Sequence, residues 1–107
     1  MATIRFHQVS EFLDELRKDR GKVDRGIVRM AFRHTKNPPL TTLTLVASAV
    51  VAGHVVTLER RCGEFMFADG PDSKPVQDRG DEFADMVKQA CAEMNLEVRS
   101  GVFEAAA

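Results

Sequence analysis

The chain has 107 residues, of which 44% are hydrophobic and 29% are charged. This length fits one domain, so we expect residues 1–107 to fold around a single core. The net charge is −1, from 15 basic and 16 acidic residues, which differs from the strongly basic balance typical of nucleic-acid binders. No apolar run approaches the roughly 18 residues that a membrane-spanning helix needs. These values predict a small soluble protein.

The N-terminus and the cysteines predict a cytoplasmic location. The first residues lack the apolar block and the cleavage site of a secretory signal, so we expect them to begin the fold. Cys62 and Cys91 stand far apart and form no CxxC pair, which predicts two reduced thiols. We expect Cys62 to lie in a turn, where its thiol reaches solvent, and Cys91 to lie on a helix.

The first periodic segment predicts an amphipathic helix over about residues 8–20. Its hydrophobic residues have the spacing i, i+3, i+4, i+7: Val9, Phe12, Leu13 and Leu16. Ser10 is the candidate N-cap, and Gly21 follows the last turn.

Alternating residues then predict four antiparallel strands. The first runs from Val28 and ends before the prolines at 38–39, and the uncharged segment 40–51 is expected to be central. Gly53 and Gly63 each stand second in a candidate two-residue loop. Residues that flank such a loop share a face of the sheet, so the two loops predict which residues point the same way.

The predicted turns divide the strand residues into two faces. The expected inward set is Leu45, Ala47, Ala49, Val51, Val56, Leu58, Phe65 and Phe67. The expected outward set is Thr44, Val46, Ser48, Val50, Val55, Thr57, Glu59, Arg61 and Glu64.

A second helix is predicted after a loop at residues 69–72. Its apolar stripe comprises Val76, Gly80, Phe83, Val87, Ala90 and Met94. Ser73 is the candidate N-cap and Asn95 the expected stop. Glycine at position 80 costs about 1 kcal/mol relative to alanine, which predicts a close approach of the helix to the sheet. Alternation at Leu96, Val98 and Val102 predicts a last strand.

These elements predict a two-layer α+β domain in the order α-β-β-β-β-α-β, an antiparallel meander of about four strands plus a C-terminal strand, with both helices on one face. The order resembles the core of restriction-endonuclease-like nucleases, which bind metal through an acidic residue and a (D/E)xK motif. The segment 40–51 has no acidic residue, and Glu59-Arg60-Arg61 lacks the lysine. The resemblance therefore covers the order of elements and no motif.

No catalytic or metal-binding motif is present in the sequence. His7, His34 and His54 have no partner at ligand spacing, and neither GxSxG nor a glycine-rich phosphate loop occurs. Cys62 and His54 fall at opposite ends of one predicted strand, roughly 25 Å apart. We therefore predict a protein that is not an enzyme, with no metal and no cofactor.

The open face of the sheet is the candidate functional surface. The residues singled out on it are Arg29, Arg33, Val46, Val50, Glu59 and Arg61. Outward valines beside Arg–Glu pairs favour a homodimer that packs face to face, which makes the protein an interaction module. The alternative is weak binding of nucleic acid or another anion by the arginines, although no aromatic residue is predicted there for stacking, with the possible exception of Phe103.

Overall fold

A computed structural model describes residues 2–66 and 70–100 of the chain. The elements are β1 (Thr3–Phe6), α1 (Val9–Lys18), β2 (Ile27–Asn37), β3 (Leu40–Val51), β4 (His54–Met66), α2 (Gly70–Glu93) and β5 (Glu97–Ser100). Two 3₁₀ turns, Arg20–Lys22 and Asp24–Gly26, connect α1 to β2. The predicted α+β class is confirmed, but the order begins with a strand rather than a helix.

The five strands form one mixed sheet in the order β1-β4-β3-β2-β5. Strands β2, β3 and β4 are the antiparallel meander, whereas β1 runs parallel to β4 and β5 parallel to β2. The prediction of a purely antiparallel meander of four strands is therefore wrong. Strand β1 escaped prediction because it has only four residues, three of them exposed, and thus too short a pattern.

The second predicted turn, at Gly63, is also wrong, because β4 continues through it with a β-bulge. Thr44 pairs with Arg61 but Leu43 pairs with Gly63, so Cys62 is the extra residue. A bulge shifts the alternation by one residue, as a two-residue loop does. Arg61 and Glu64 consequently share the outer side as predicted, and they form an ion pair along one strand rather than between two. Cys62 is buried rather than exposed in a turn.

Helix α1 begins within one residue of its predicted start, but its N-cap and the start of α2 differ from the prediction. Gln8 is the N-cap of α1, so Ser10 lies inside the helix. Helix α2 begins at Gly70, so a loop through residue 72 and a cap at Ser73 are wrong. Phe67, Asp69, Val102 and Phe103 lie outside the described residues.

The core lies between the sheet and the two helices. Its most deeply buried side chains are Phe12, Leu16, Val28, Leu45, Val56, Leu58, Val87 and Cys91. The predicted close approach at Gly80 is confirmed, because a Cβ there would lie 3.0 Å from the Phe32 ring and 3.2 Å from Leu43. The predicted stop of α2 is also confirmed, since Asn95 has a φ of 64°.

Helix α2 also secures the bulge in β4. Arg79 donates a hydrogen bond of 2.8 Å to the carbonyl oxygen of Cys62, which satisfies an acceptor that the bulge removes from the sheet ladder. The guanidinium of Arg60 stacks on the ring of Phe83, 4.7 Å from its centroid. Among the described helices, none is both long and apolar enough to cross a membrane.

Candidate functional site

The outer face is the side of the sheet opposite the two helices. Within residues 2–66 and 70–100, no helix packs on it. The strand registers place all six predicted site residues on this face: Arg29, Arg33, Val46, Val50, Glu59 and Arg61. The prediction of which residues share the surface is therefore correct, because each strand alternates inward and outward positions.

One line of residues crosses all five strands of the outer face. Arg29 pairs with Ser48, Ser48 with Thr57, and Thr57 with Arg5, while Arg99 pairs with Arg29 from the other side. We call these five residues the arginine row. With strands about 4.8 Å apart, the row is about 19 Å long. Three guanidinium groups and two hydroxyl groups thus lie in one line.

Sequence reasoning missed two members of this row. Arg5 lies on β1, which was not predicted as a strand, and Arg99 lies on β5, whose neighbour in the sheet was not assigned. The only sequence signal is the alternation of Arg99 with Val98, which puts the two side chains on opposite faces.

The arginines of the outer face differ in their partners. Arg33 lies 3.8 Å from Glu59, Arg61 pairs with Glu64, and the Nε of Arg99 lies 2.6 Å from Glu97. Arg5 and Arg29 are exposed and have neither an ion pair nor a side-chain hydrogen bond within the described part of the chain. These two guanidinium groups are available to a ligand.

The charges of the molecule are segregated between its two layers. The described strands place five arginines and three glutamates on the outer face, which therefore has a net charge of +2. Helix α2 has six acidic and three basic residues. Although the net charge of the chain is −1, the outer face of the sheet is basic and attracts anions.

A shallow cleft of about 270 Å³ lies beside Arg29 and Ser48, two inner members of the arginine row. Its lining residues are Asp24, Arg25, Ile27, Arg29, Ser48, Ala49, Val50 and Val55. Arg25 stands in the left-handed region with a φ of 57°, which is strained for a residue with a side chain. Like Arg29, it is exposed and makes no ion pair within the described residues.

The centre of the outer face has little exposed apolar surface. Val46, at its centre, is only 9% exposed because neighbouring side chains surround it. Of the large hydrophobic side chains that are exposed, Met66 alone lies on the described outer face. Phe32 lies on the opposite side, against Gly80 of α2. None of the described phenylalanines is thus placed to stack on a ligand at this surface.

Neither the histidines nor the cysteines form a reactive group in the described residues. No three His, Cys, Asp or Glu side chains there are placed to bind a metal ion together. Burial raises the pKa of the Cys62 thiol above its ordinary value, although a backbone hydrogen bond from Leu45 partly offsets this. Burial raises the pKa of Cys91 to about 11. Both groups stay protonated at neutral pH and are therefore weak nucleophiles.

Comparison of the chain with protein families, with curated proteins and with solved structures gives no match. The geometry of the outer face is therefore the basis for assigning a function.

Proposed function

We propose that this protein is a binding protein without catalytic activity, and that its outer face binds phosphate-bearing anions through the arginine row. The observation that carries the proposal is the alignment of Arg29 and Arg5 with the hydroxyl groups of Ser48 and Thr57. Guanidinium and hydroxyl groups are donors to phosphate oxygens, and an unpaired arginine need not give up a protein partner to bind one.

The neighbouring arginines Arg29 and Arg99 support the same proposal. They occupy directly opposed positions on adjacent strands, and like charges so placed destabilise a sheet. Glu97 is the carboxylate partner of Arg99, whereas Arg29 has no such partner among the described residues. An anion bound above the row reduces the repulsion between the two guanidinium groups.

The way in which such a ligand is recognised follows from the rest of the surface. Single-stranded nucleic acids are usually bound by stacking of bases on exposed aromatic rings, and the described outer face offers none. We therefore expect a nucleic acid to be bound through its phosphate groups without base stacking, which gives binding that depends steeply on salt.

Titration with two phosphate sources tests the proposal. The probes are tripolyphosphate, measured by calorimetry, and a short labelled DNA duplex, measured by fluorescence anisotropy, at about 50 mM and about 200 mM salt. We expect at least one probe to bind at the lower salt concentration and to weaken at the higher one. Binding of tripolyphosphate alone identifies a small ligand, and binding of the duplex identifies a nucleic-acid backbone.

Matched variants separate the row from general electrostatics. The double variant Arg5→Gln/Arg29→Gln is expected to lose most of the binding. Arg17→Gln removes one exposed arginine from α1, in the other layer, and is expected to leave the affinity nearly unchanged. If neither probe binds at low salt, or if Arg17→Gln weakens binding as much as the double variant, the proposal fails.

A homodimer that packs through the outer face is the second candidate. It is favoured by the outward valines Val46, Val50 and Val55, which lie on a surface that neither described α-helix covers. We rank it second because Val46, at the centre of this apolar surface, is only 9% exposed. Light scattering at two protein concentrations tests it. A dimer has twice the 11.9 kDa mass and dissociates in Val50→Asp, whereas a monomer at both concentrations contradicts it.

A further inference from the structure

We propose that the cleft beside Arg29 is a discrete site for a phosphate ester that carries a small apolar group. This inference rests on the proposed anion-binding function and names its ligand class more closely. The cleft joins charged donors to an apolar wall in one concave space, which the rest of the arginine row does not.

The polar side of the cleft suits a phosphate group. Arg25, Arg29 and Ser48 supply donors from the turn before β2, from β2 itself and from β3. A phosphate monoester presents three terminal oxygens, and arginine recognises such oxygens with paired donors. A carboxylate has only two oxygens and leaves one of these donors without a charged partner.

The backbone at Arg25 points to a binding role for its side chain. Arg25 and Gly26 both have left-handed φ values, 57° and 66°, and this conformation favours glycine. An arginine here is strained, and strained residues that persist in a fold are concentrated at functional sites. The strained residue lines the same cleft as Ser48 and Val50.

The apolar side of the cleft implies a substituent on the phosphate. Ile27, Val50 and Val55 form this side. The cleft has a volume of about 270 Å³. The five non-hydrogen atoms of a phosphate group fill only part of that space, which leaves room for a ring or a short apolar chain against the valines.

Asp24 supplies the one negative charge among the lining residues. Two guanidinium groups outnumber it, so the cleft remains positive. Its carboxylate repels a bound phosphate, and we therefore expect Asp24→Asn to strengthen binding. A site that depends only on apolar contacts does not respond in this way.

The experiment is a series of two-dimensional amide NMR titrations of the full chain with phenyl phosphate, methyl phosphate, benzoate and phenol. Phenyl phosphate is expected to bind about tenfold more tightly than methyl phosphate, because only the former covers the valines. Benzoate is expected to bind more weakly than phenyl phosphate, and phenol not measurably. The largest shifts should fall on residues 24–29, 48–50 and 55.

Three variants and one control sharpen the test. Arg29→Gln should abolish binding of both phosphates, Asp24→Asn should strengthen it, and Val50→Thr should reduce the advantage of the phenyl ester without changing the affinity for methyl phosphate. The control Arg61→Gln lies on the outer face away from the cleft and should change neither affinity. The amide spectra show directly that each variant is folded.

Two outcomes overturn the inference while leaving the anion-binding proposal intact. One is equal affinity for phenyl phosphate and methyl phosphate, and the other is an affinity for benzoate that matches or exceeds that for phenyl phosphate. If neither these ligands nor tripolyphosphate bind, both proposals fail.

Discussion

Arg29 of β2 and Arg99 of β5 occupy directly opposed positions on the outer face, on adjacent parallel strands. Arg99 has a carboxylate partner in Glu97, whereas Arg29 has none among the described residues. Because like charges so placed repel, we expect Arg29→Gln to raise the free energy of unfolding by roughly 0.2–1 kcal/mol at low salt. The gain should shrink as salt screens the pair. Urea unfolding at two ionic strengths measures it.

The control for this prediction is Arg33→Gln on the same strand. Arg33 has Glu59 at 3.8 Å, so its loss should not stabilise the fold. A loss of stability in Arg29→Gln equal to that in Arg33→Gln would show that Arg29 is an ordinary structural residue. A gain in stability together with a loss of anion binding would mark it as a residue kept for binding.

Gly80 is expected to tolerate no side chain. Alanine normally stabilises a helix relative to glycine by about 1 kcal/mol. At this position its methyl group would press on Phe32 at 3.0 Å and Leu43 at 3.2 Å. We expect Gly80→Ala to lower the free energy of unfolding by about 1–3 kcal/mol.

Gly21→Ala is the matched control for Gly80→Ala, because a Cβ at Gly21 would meet no atom within 4 Å. This substitution should be neutral or slightly stabilising. Urea unfolding of both variants, compared at equal m-values, checks the pair. Equal effects at both glycines would mean that α2 does not pack on the sheet as closely as described.

Arg25→Gly is expected to stabilise the fold while it weakens binding in the cleft. Relief of the left-handed φ should add about 1 kcal/mol to the free energy of unfolding. Ala52→Gly relieves a similar φ of 51° in the turn between β3 and β4, outside the cleft. It should give a similar gain with no change in affinity. Thermal unfolding measures the gain in stability in the two variants, and titration with phenyl phosphate measures the affinity. A loss of affinity in Arg25→Gly alone would show that the strained residue contributes to binding.

Cys91 should make stability fall between pH 9 and pH 11. Burial raises the pKa of its thiol from 9.0 to about 11. Above pH 9 the thiol ionises in the unfolded chain but stays protonated in the folded one, so each further rise in pH favours unfolding. The stabilising contribution is complete below pH 9 and is lost by about pH 11.

Comparison with Cys91→Ala isolates this effect, because the two proteins differ only in the side chain at position 91. Under reducing conditions the free energy of unfolding of the wild type should fall more steeply over this window than that of the variant. Parallel curves would show that the Cys91 thiol is not perturbed.

Much of the outer face could be predicted from the sequence, because the alternation of inward and outward residues along a strand does not depend on how the strands are connected. Gly63 predicted a turn, whereas the chain forms a β-bulge there. A two-residue turn and a bulge both place Arg61 and Glu64, three residues apart, on the same face. The prediction of which residues lie on the outer face was therefore correct, although the prediction of a turn at Gly63 was not. The same tolerance applies to Gly80, whose place in the apolar stripe indicated close packing even though α2 starts at Gly70.

The arginine row could not be predicted because it depends on long-range pairing. Arg5 and Arg99 become neighbours of the central strands only through β1 and β5, which are short and pair in parallel with distant segments. A pattern within one strand carries no signal of which strand lies beside it. The cleft likewise depends on the conformation of Arg25, which no local motif indicates.

The central claim is that the arginine row binds a phosphate-bearing anion. Its most direct test is the affinity of the wild type, Arg5→Gln/Arg29→Gln and Arg17→Gln for tripolyphosphate at low salt. We expect the wild type and Arg17→Gln to bind tripolyphosphate with an affinity that weakens with salt, and the double variant to bind little or none. An affinity in the double variant equal to that of the wild type would contradict it.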